Sequence, residues 1–192
     1  MSKPIQQRTL RTRARLLEEA DALVRESGYE ALRVEDVVAR AGVAKGTFFA
    51  HFRDKDALME LLIGGELDTL LERAESVPVP RDVAGICAQL MPLHSFMTSE
   101  RYVFDVILRY SGAAAVSEIG PIAKSFDRYV TLVAGWISAG SYRRDVDAEL
   151  LAEGVQAFAV QSMALQFCAL HAAQSFEARL QTYLRAWLTP AV

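Results

Sequence analysis

Apolar residues at Leu16, Leu17, Ala20, Leu23 and Val24 recur at the spacing of one helical face and predict a helix from about Gln7 to Ser27. Gly28 is expected to end it, because glycine enters the left-handed conformation past a helix end most easily. Val34, Val37, Val38 and Ala41 repeat the pattern over a short helix that stops at Gly42. Val43 fills the turn, and a third short helix is expected from about Ala44 to His51, with Phe48 and Phe52 on its inner face. Asp54 is a candidate N-cap for a fourth helix, and Asp56 suits the positive end of its dipole. Leu58, Leu61, Leu62 and Gly65 carry that helix towards Ser76.

Val77-Pro78-Val79-Pro80 interrupts the pattern, since prolines disfavour helix on both sides. Beyond it the periodicity predicts helices over Asp82–Phe96, kinked at Pro92, then Glu100–Ser111, Ile122–Gly140, Ala148–Ala172 capped by Asp147, and Phe176–Leu188 followed by Pro190. No strand alternation or internal repeat appears. The expected fold class is therefore all-α. Residues 1–56 form a small N-terminal domain and residues 57–192 a larger helical one, with the fourth helix shared between them.

Composition fits such a fold: 192 residues, 52% of them apolar, with only 11 glycines and 6 prolines. No apolar run reaches bilayer length, and Met1-Ser2-Lys3-Pro4-Ile5-Gln6-Gln7 leads into no apolar signal core. A cytoplasmic protein with no membrane partner is the expectation, with Cys87 and Cys168 as buried thiols. The net charge of −3 conceals an asymmetry: residues 1–56 are net +2 and the remainder net −5. Lys3, Arg8, Arg11, Arg13 and Arg15 precede the first acid in the chain. That distribution suits an N-terminal part facing a polyanion. The basic stretch either follows a nucleic-acid backbone or minor groove, or is a frayed helix end.

The second and third helices have the lengths and tight turn of a helix-turn-helix at roughly Arg33–Phe52. In such a pair one helix braces the other, which lies in the major groove, the only groove wide enough for it. The inner face must be apolar, as Val34, Val37, Val38, Phe48 and Phe52 are. The outer face must be small and polar, as Ala44, Lys45, Gly46, Thr47 and Ala50 are.

The run from Arg33 through Leu58, RVEDVVARAGVAKGTFFAHFRDKDAL, resembles the signature of the tetracycline-repressor (TetR/AcrR) family, and Gly28-Tyr29-Glu30 resembles the turn before it. A weaker echo spans Gly140 to Ala152, resembling the loop before that family's penultimate long helix. By this resemblance Lys45, Gly46, Thr47, Phe49 and His51 fall on recognition-helix contacts and Lys55 on a phosphate contact opening helix four. Lys45 would serve a guanine edge or a phosphate, Gly46 would permit close approach, and Thr47 would meet a thymine methyl or base edge. His51 and Lys55 would fix register on phosphates. Three positions depart from the pattern. Phe49 stands for the usual tyrosine, Ala44 for a common serine, and Arg33 for the usual threonine. The last loses a side-chain N-cap but adds a cation. Affinity leaning on charge is the consequence, with a steep salt dependence.

The resemblance also implies a homodimer on a palindromic double-stranded DNA operator and a helical domain that binds a small-molecule effector. Candidate interface residues are Leu151, Val155 and Phe158 on one helix and Leu180, Tyr183, Leu184 and Trp187 on the last. The alternative for these is ordinary intramolecular core. Candidate pocket residues are Met91, His94, Phe96, Phe104 and Phe126, with Tyr129, Trp136, Met163 and Phe167, and they suit an apolar or aromatic ligand. His94 is the leading polar candidate. His51, His94 and His171 show no metal spacing with carboxylates or cysteines. No phosphate loop or nucleophile elbow appears, so neither an enzyme nor a cofactor is expected. The competing readings are a ligand-binding or scaffold protein of the same fold with weakened DNA binding, and an activator rather than a repressor.

Overall fold

In a computed structural model, residues 3–111, 119–168 and 174–189 are described. Among them the chain forms nine helices and no strand: α1 Lys3–Ser27, α2 Val34–Arg40, α3 Lys45–His51, α4 Lys55–Glu75, α5 Val83–Met97, α6 Arg101–Tyr110, α7 Pro121–Ala139, α8 Ala148–Gln166 and α9 Phe176–Leu188. His171, Pro190 and the expected end of α8 at Ala172 lie outside the described residues.

The first three helices fold around one apolar cluster. Leu16, Ala20 and Val24 of α1 meet Val37, Val38 and Ala41 around α2, with Phe48 and Phe52 beneath them, all buried. Gly28 and Gly42 end α1 and α2 at φ values of 88° and 59°, the left-handed region expected of them. The basic start of the chain is helical from Lys3 onward rather than an extended arm. Two of its arginines serve the fold. Arg13 lies 4.5 Å over the Phe52 ring and donates to the His51 carbonyl at 2.7 Å, which places a cation at the negative end of α3. Arg15 lies beside Gly42, where a Cβ would sit 3.2 Å from its guanidinium.

Asp54 caps α4 through the Ala57 N–H, and Asp82, Asp147 and Ser175 cap α5, α8 and α9 in the same way. α4 packs against α1 at one end and against α5, α6 and α7 along its length. It therefore belongs to both halves of the molecule. Its approach to α7 is close because residue 64 is glycine: a Cβ there would lie 2.7 Å from that of Pro121. α7 and α8 pack together, and α9 closes the bundle against α5 and α8. α5 runs through Pro92 without interruption. Pro92 and Ala88 are both exposed, so the carbonyl that proline leaves unpaired faces water. Cys87 is buried, but Cys168, expected to be so, is only half-buried near the end of α8.

Candidate nucleic-acid interface

The outer side of α3 is open. Lys45, Gly46, Phe49 and Ala50 are exposed and Thr47 and His51 half-buried, while Phe48 points inward beneath them. A Cβ on Gly46 would meet nothing in the chain within 4 Å, so the fold itself does not require glycine there. Phe49 is 49% exposed and edge-on to Phe48 at 5.3 Å. Neither α2 nor α3 has a side-chain cap at its N-terminus, since Arg33 and Ala44 occupy those places. In the first turn of α3 the Thr47 N–H donates to the Ala44 carbonyl at 2.8 Å, and no side chain caps the Lys45 and Gly46 N–H groups. Arg8 and Thr12 of α1 face Thr47 and His51 of α3 across an open cleft. The start of α1 and the candidate recognition helix therefore share one surface.

Two of the expected contact lysines are occupied within the chain. The Lys45 ammonium pairs with Glu35 of α2 at 2.5 Å, with both side chains more than half exposed. Such a pair is weak and open to exchange. Lys55 turns away from α3. Its ammonium lies 3.3 Å from the Glu30 carbonyl and 4.5 Å over the Tyr102 ring of α6, and burial lowers its pKa. It joins the two halves of the molecule in this conformation.

That junction has further members that periodicity does not reveal. Tyr102 donates to Asp56 at 2.8 Å, and Arg109 pairs with the same carboxylate. Glu100 accepts from the backbone N–H groups of Tyr29 and Glu30, and Phe96 lies 5.8 Å from the Tyr29 ring. These contacts join residues at least 46 positions apart, except Lys55 to Glu30.

In the larger half, a cavity of about 20 Å³ lies between α4, α5, α7 and α8. Four of the expected pocket residues line it: His94, Phe126, Tyr129 and Met163. Leu67, Leu71, Leu93, Met97, Ser125, Gln156, Ala159 and Val160 complete the wall. Ser125 and Gln156 carry no signal in the sequence that sets them apart from the other polar residues of their helices. The remaining expected residues lie elsewhere. Phe96 packs on Tyr29, Phe104 pairs with Phe167 at 5.5 Å, Trp136 is buried on α7 outside the cavity, and Met91 borders a separate cleft with Ser95 and Thr98. All are apolar residues of helices with several buried sides, and periodicity does not say which side faces a void. His94 is 1% exposed, and burial holds its imidazole neutral, with a pKa down at about 3.

The expected interface residues also divide. Leu151, Val155, Leu180 and Leu184 are fully buried in the chain's own core, which corrects their assignment to a surface. Phe158, Tyr183 and Trp187 are half-buried. Phe158 stacks on Tyr183 at 5.0 Å, and the Trp187 indole donates to the Leu151 carbonyl at 2.9 Å.

Residues 16–62, which span most of the N-terminal cluster and the start of α4, match the family model of bacterial regulatory proteins, tetR family. Over that segment the chain is similar to the tetR family. It is 26% identical over 100 residues to the uncharacterized HTH-type transcriptional regulator YvdT of Bacillus subtilis. That match covers 52% of each, so the chain spans about half the length of this relative. It is 27% identical over 152 residues to the HTH-type transcriptional repressor KstR2 of Mycobacterium tuberculosis, covering 72% of the chain and 73% of that protein. The TetR-family repressor FadR of Thermus thermophilus, solved with lauroyl-CoA, shares the fold at a TM-score of 0.64 and 18% identity, over 91% of this chain and 92% of that one. Among the described residues no helix is long and apolar enough to cross a membrane, and no group of three or more His, Cys, Asp or Glu could hold a metal ion.

Proposed function

We propose that this chain is a cytoplasmic transcriptional repressor of the TetR type that binds a two-fold DNA operator as a homodimer and is released by a small effector. The open face of α3, with Lys45, Gly46, Thr47 and Phe49 outward over a buried Phe48, carries the reading. The repressor KstR2 and the lauroyl-CoA complex of FadR are the relatives that favour it. Lys45 leaves Glu35 for a base edge or phosphate, Gly46 lets the helix backbone approach, and Thr47 meets a base edge. Arg33, His51 and Arg8 hold phosphates, and Ala44 and Phe49 supply apolar contact. Lys55 orders the junction with α6 and reaches a phosphate only if that junction loosens.

A single helix-turn-helix touches too few bases for useful specificity, which favours a symmetric pair on a palindrome. The outward side of α8 and α9 offers the partner surface, with Phe158, Tyr183 and Trp187 half-buried and Leu150 52% exposed.

Release follows from α4. Leu67 and Leu71 line the cavity, and Asp56 and Lys55 sit at the junction, about 17–24 Å away along the helix axis. The cavity, partly open to solvent, has room for about one water. A larger ligand must move its walls, one of which is α4, so it selects an arrangement with a different spacing of recognition helices. The test is a gel shift with the DNA upstream of the protein's own gene. Specific retardation that Lys45→Ala abolishes supports the reading. Absence of any specific retardation overturns it.

A further inference from the structure

His94 is the most deeply buried histidine described, and its Nδ1 has no hydrogen-bond partner. Its Nε2 lies 3.3 Å from the Tyr129 hydroxyl, itself 5% exposed, and both side chains line the cavity between α4, α5, α7 and α8. We infer that this cavity takes a compact, uncharged ligand that offers one hydroxyl or carbonyl to the His94–Tyr129 pair. The inference rests on the effector reading above and specifies the ligand's chemistry.

The other polar side chains of the wall already donate within the chain. Ser125 donates to Asp68 at 3.0 Å and lies 3.1 Å from the Pro121 carbonyl, while the Gln156 amide donates to the Phe126 carbonyl at 2.9 Å. That leaves the histidine–tyrosine pair to read polarity. If Tyr129 donates to Nε2, the ring proton sits on Nδ1 and can be donated to a ligand oxygen. If Nε2 donates to the Tyr129 oxygen, Nδ1 accepts from a ligand hydroxyl and the tyrosine proton remains available. A hydroxyl satisfies the buried nitrogen in either tautomer, whereas a carbonyl does so only when the ring proton is on Nδ1.

Charge and size narrow the class. None of the described residues lining the cavity is Asp, Glu, Lys or Arg, and burial keeps His94 neutral. A carboxylate or phosphate ligand would lose its hydration without gaining a counter-charge. The void holds about 20 Å³, and its adaptable walls are the unbranched Met97 and Met163. Rotation of two methionines opens room for a ring or a short branched skeleton, not for a long chain with a charged head.

Three single-ring probes separate these properties: phenol and toluene, matched in size, and the charged benzoate, titrated into the full chain without DNA and followed by calorimetry. Phenol is expected to bind at least about fivefold tighter than toluene, the effect of one buried hydrogen bond. Benzoate is expected to show no saturable binding at concentrations that saturate phenol. In Tyr129→Phe, which removes one oxygen and little volume, and in His94→Leu, the preference for phenol over toluene should vanish or reverse. Circular dichroism reports whether each variant is folded, and Tyr129→Phe serves if His94→Leu is not. The inference is overturned if phenol does not bind, if toluene or benzoate binds as tightly, or if the preference survives in folded Tyr129→Phe. A gel shift with phenol present reads release separately. Phenol bound with the preference above but without release supports this ligand class and counts against the release mechanism alone.

Discussion

The carboxylate of Glu100 accepts the backbone N–H of Tyr29 at 2.9 Å and, through its second oxygen, that of Glu30 at 2.8 Å. Glu100 is the N-cap residue of α6, yet its side chain makes no cap bond to its own helix. It instead satisfies the turn that follows α1, where Gly28 leaves room: a Cβ there would lie 2.8 Å from the Glu100 oxygen. Glu100→Ala should lower stability by about 1–2 kcal/mol, since two charge-assisted bonds at a partly exposed site are lost. It should also shrink the effector-dependent change in operator affinity, because the larger half then grips the reading head less firmly. Urea unfolding and gel shifts with and without effector measure the two effects. A variant as stable as the wild type would show that water replaces this clamp without loss.

Lys45 is held by Glu35 before any DNA arrives. Lys45→Ala should weaken operator binding at least tenfold, and Glu35→Gln should strengthen it about two- to fivefold at low salt by releasing the lysine. If Lys45 serves a phosphate, its loss should also reduce the slope of log affinity against log salt by about one. If it serves a base edge, discrimination between operator sequences should fall instead. Unchanged affinity in Lys45→Ala would remove it from the contact surface.

Gly46 separates folding from recognition. Nothing in the chain lies within 4 Å of a Cβ built there, and the position is inside a helix. Gly46→Ala should therefore stabilise the protein by about 0.5–1 kcal/mol. The same methyl group should weaken operator binding, because it intrudes where the helix backbone meets DNA. Melting temperature and gel shift read these opposite signs in one variant. Stabilisation with unchanged affinity would mean that this part of α3 does not approach DNA closely.

Gly154 permits the seam between α8 and α9. A Cβ there would fall inside the Trp187 indole, which is fixed by its bond to the Leu151 carbonyl. Gly154→Ala should cost about 1–3 kcal/mol through overpacking and change the tryptophan emission. If the outward side of these helices forms the dimer, sedimentation should also show more monomer at a given concentration. A destabilised variant that remains dimeric would place the interface elsewhere.

Local chemistry made the reading head legible. Val37, Val38, Phe48 and Phe52 are buried as their spacing requires, and Asp54 and Asp147 cap helices where their position suggested. The larger half was legible only as helices. Leu151 and Val155 share α8 with Phe158, and all three are apolar, but only the first two are fully buried in the chain's own core. Periodicity ranks residues by hydrophobicity, whereas a void or an interface is decided by which neighbours fail to fill the space. The junction was illegible for a different reason. Glu100, Tyr102 and Arg109 read as ordinary surface residues of an amphipathic helix until the chain brings Tyr29 and Asp56 to them.

The buried His94 also makes stability depend on pH. Burial lowers its folded-state pKa to about 3, whereas an unfolded histidine titrates near 6.5. Between those values the unfolded chain binds a proton that the folded chain does not, so stability rises with pH across this window and is lost as pH falls below about 6.5. The slope from one such group approaches about 1.4 kcal/mol per pH unit, so moving from pH 7.5 to pH 5.5 should cost roughly 1.4 kcal/mol from His94. His94→Leu removes this contribution whatever it does to absolute stability. Urea unfolding of both proteins at the two pH values isolates it, because the remaining titrating groups are common to both. The variant should lose less stability on acidification by about that amount. Parallel losses in the two proteins would mean that His94 takes up its proton while folded, and so is reached by water or by a counter-charge when the cavity opens.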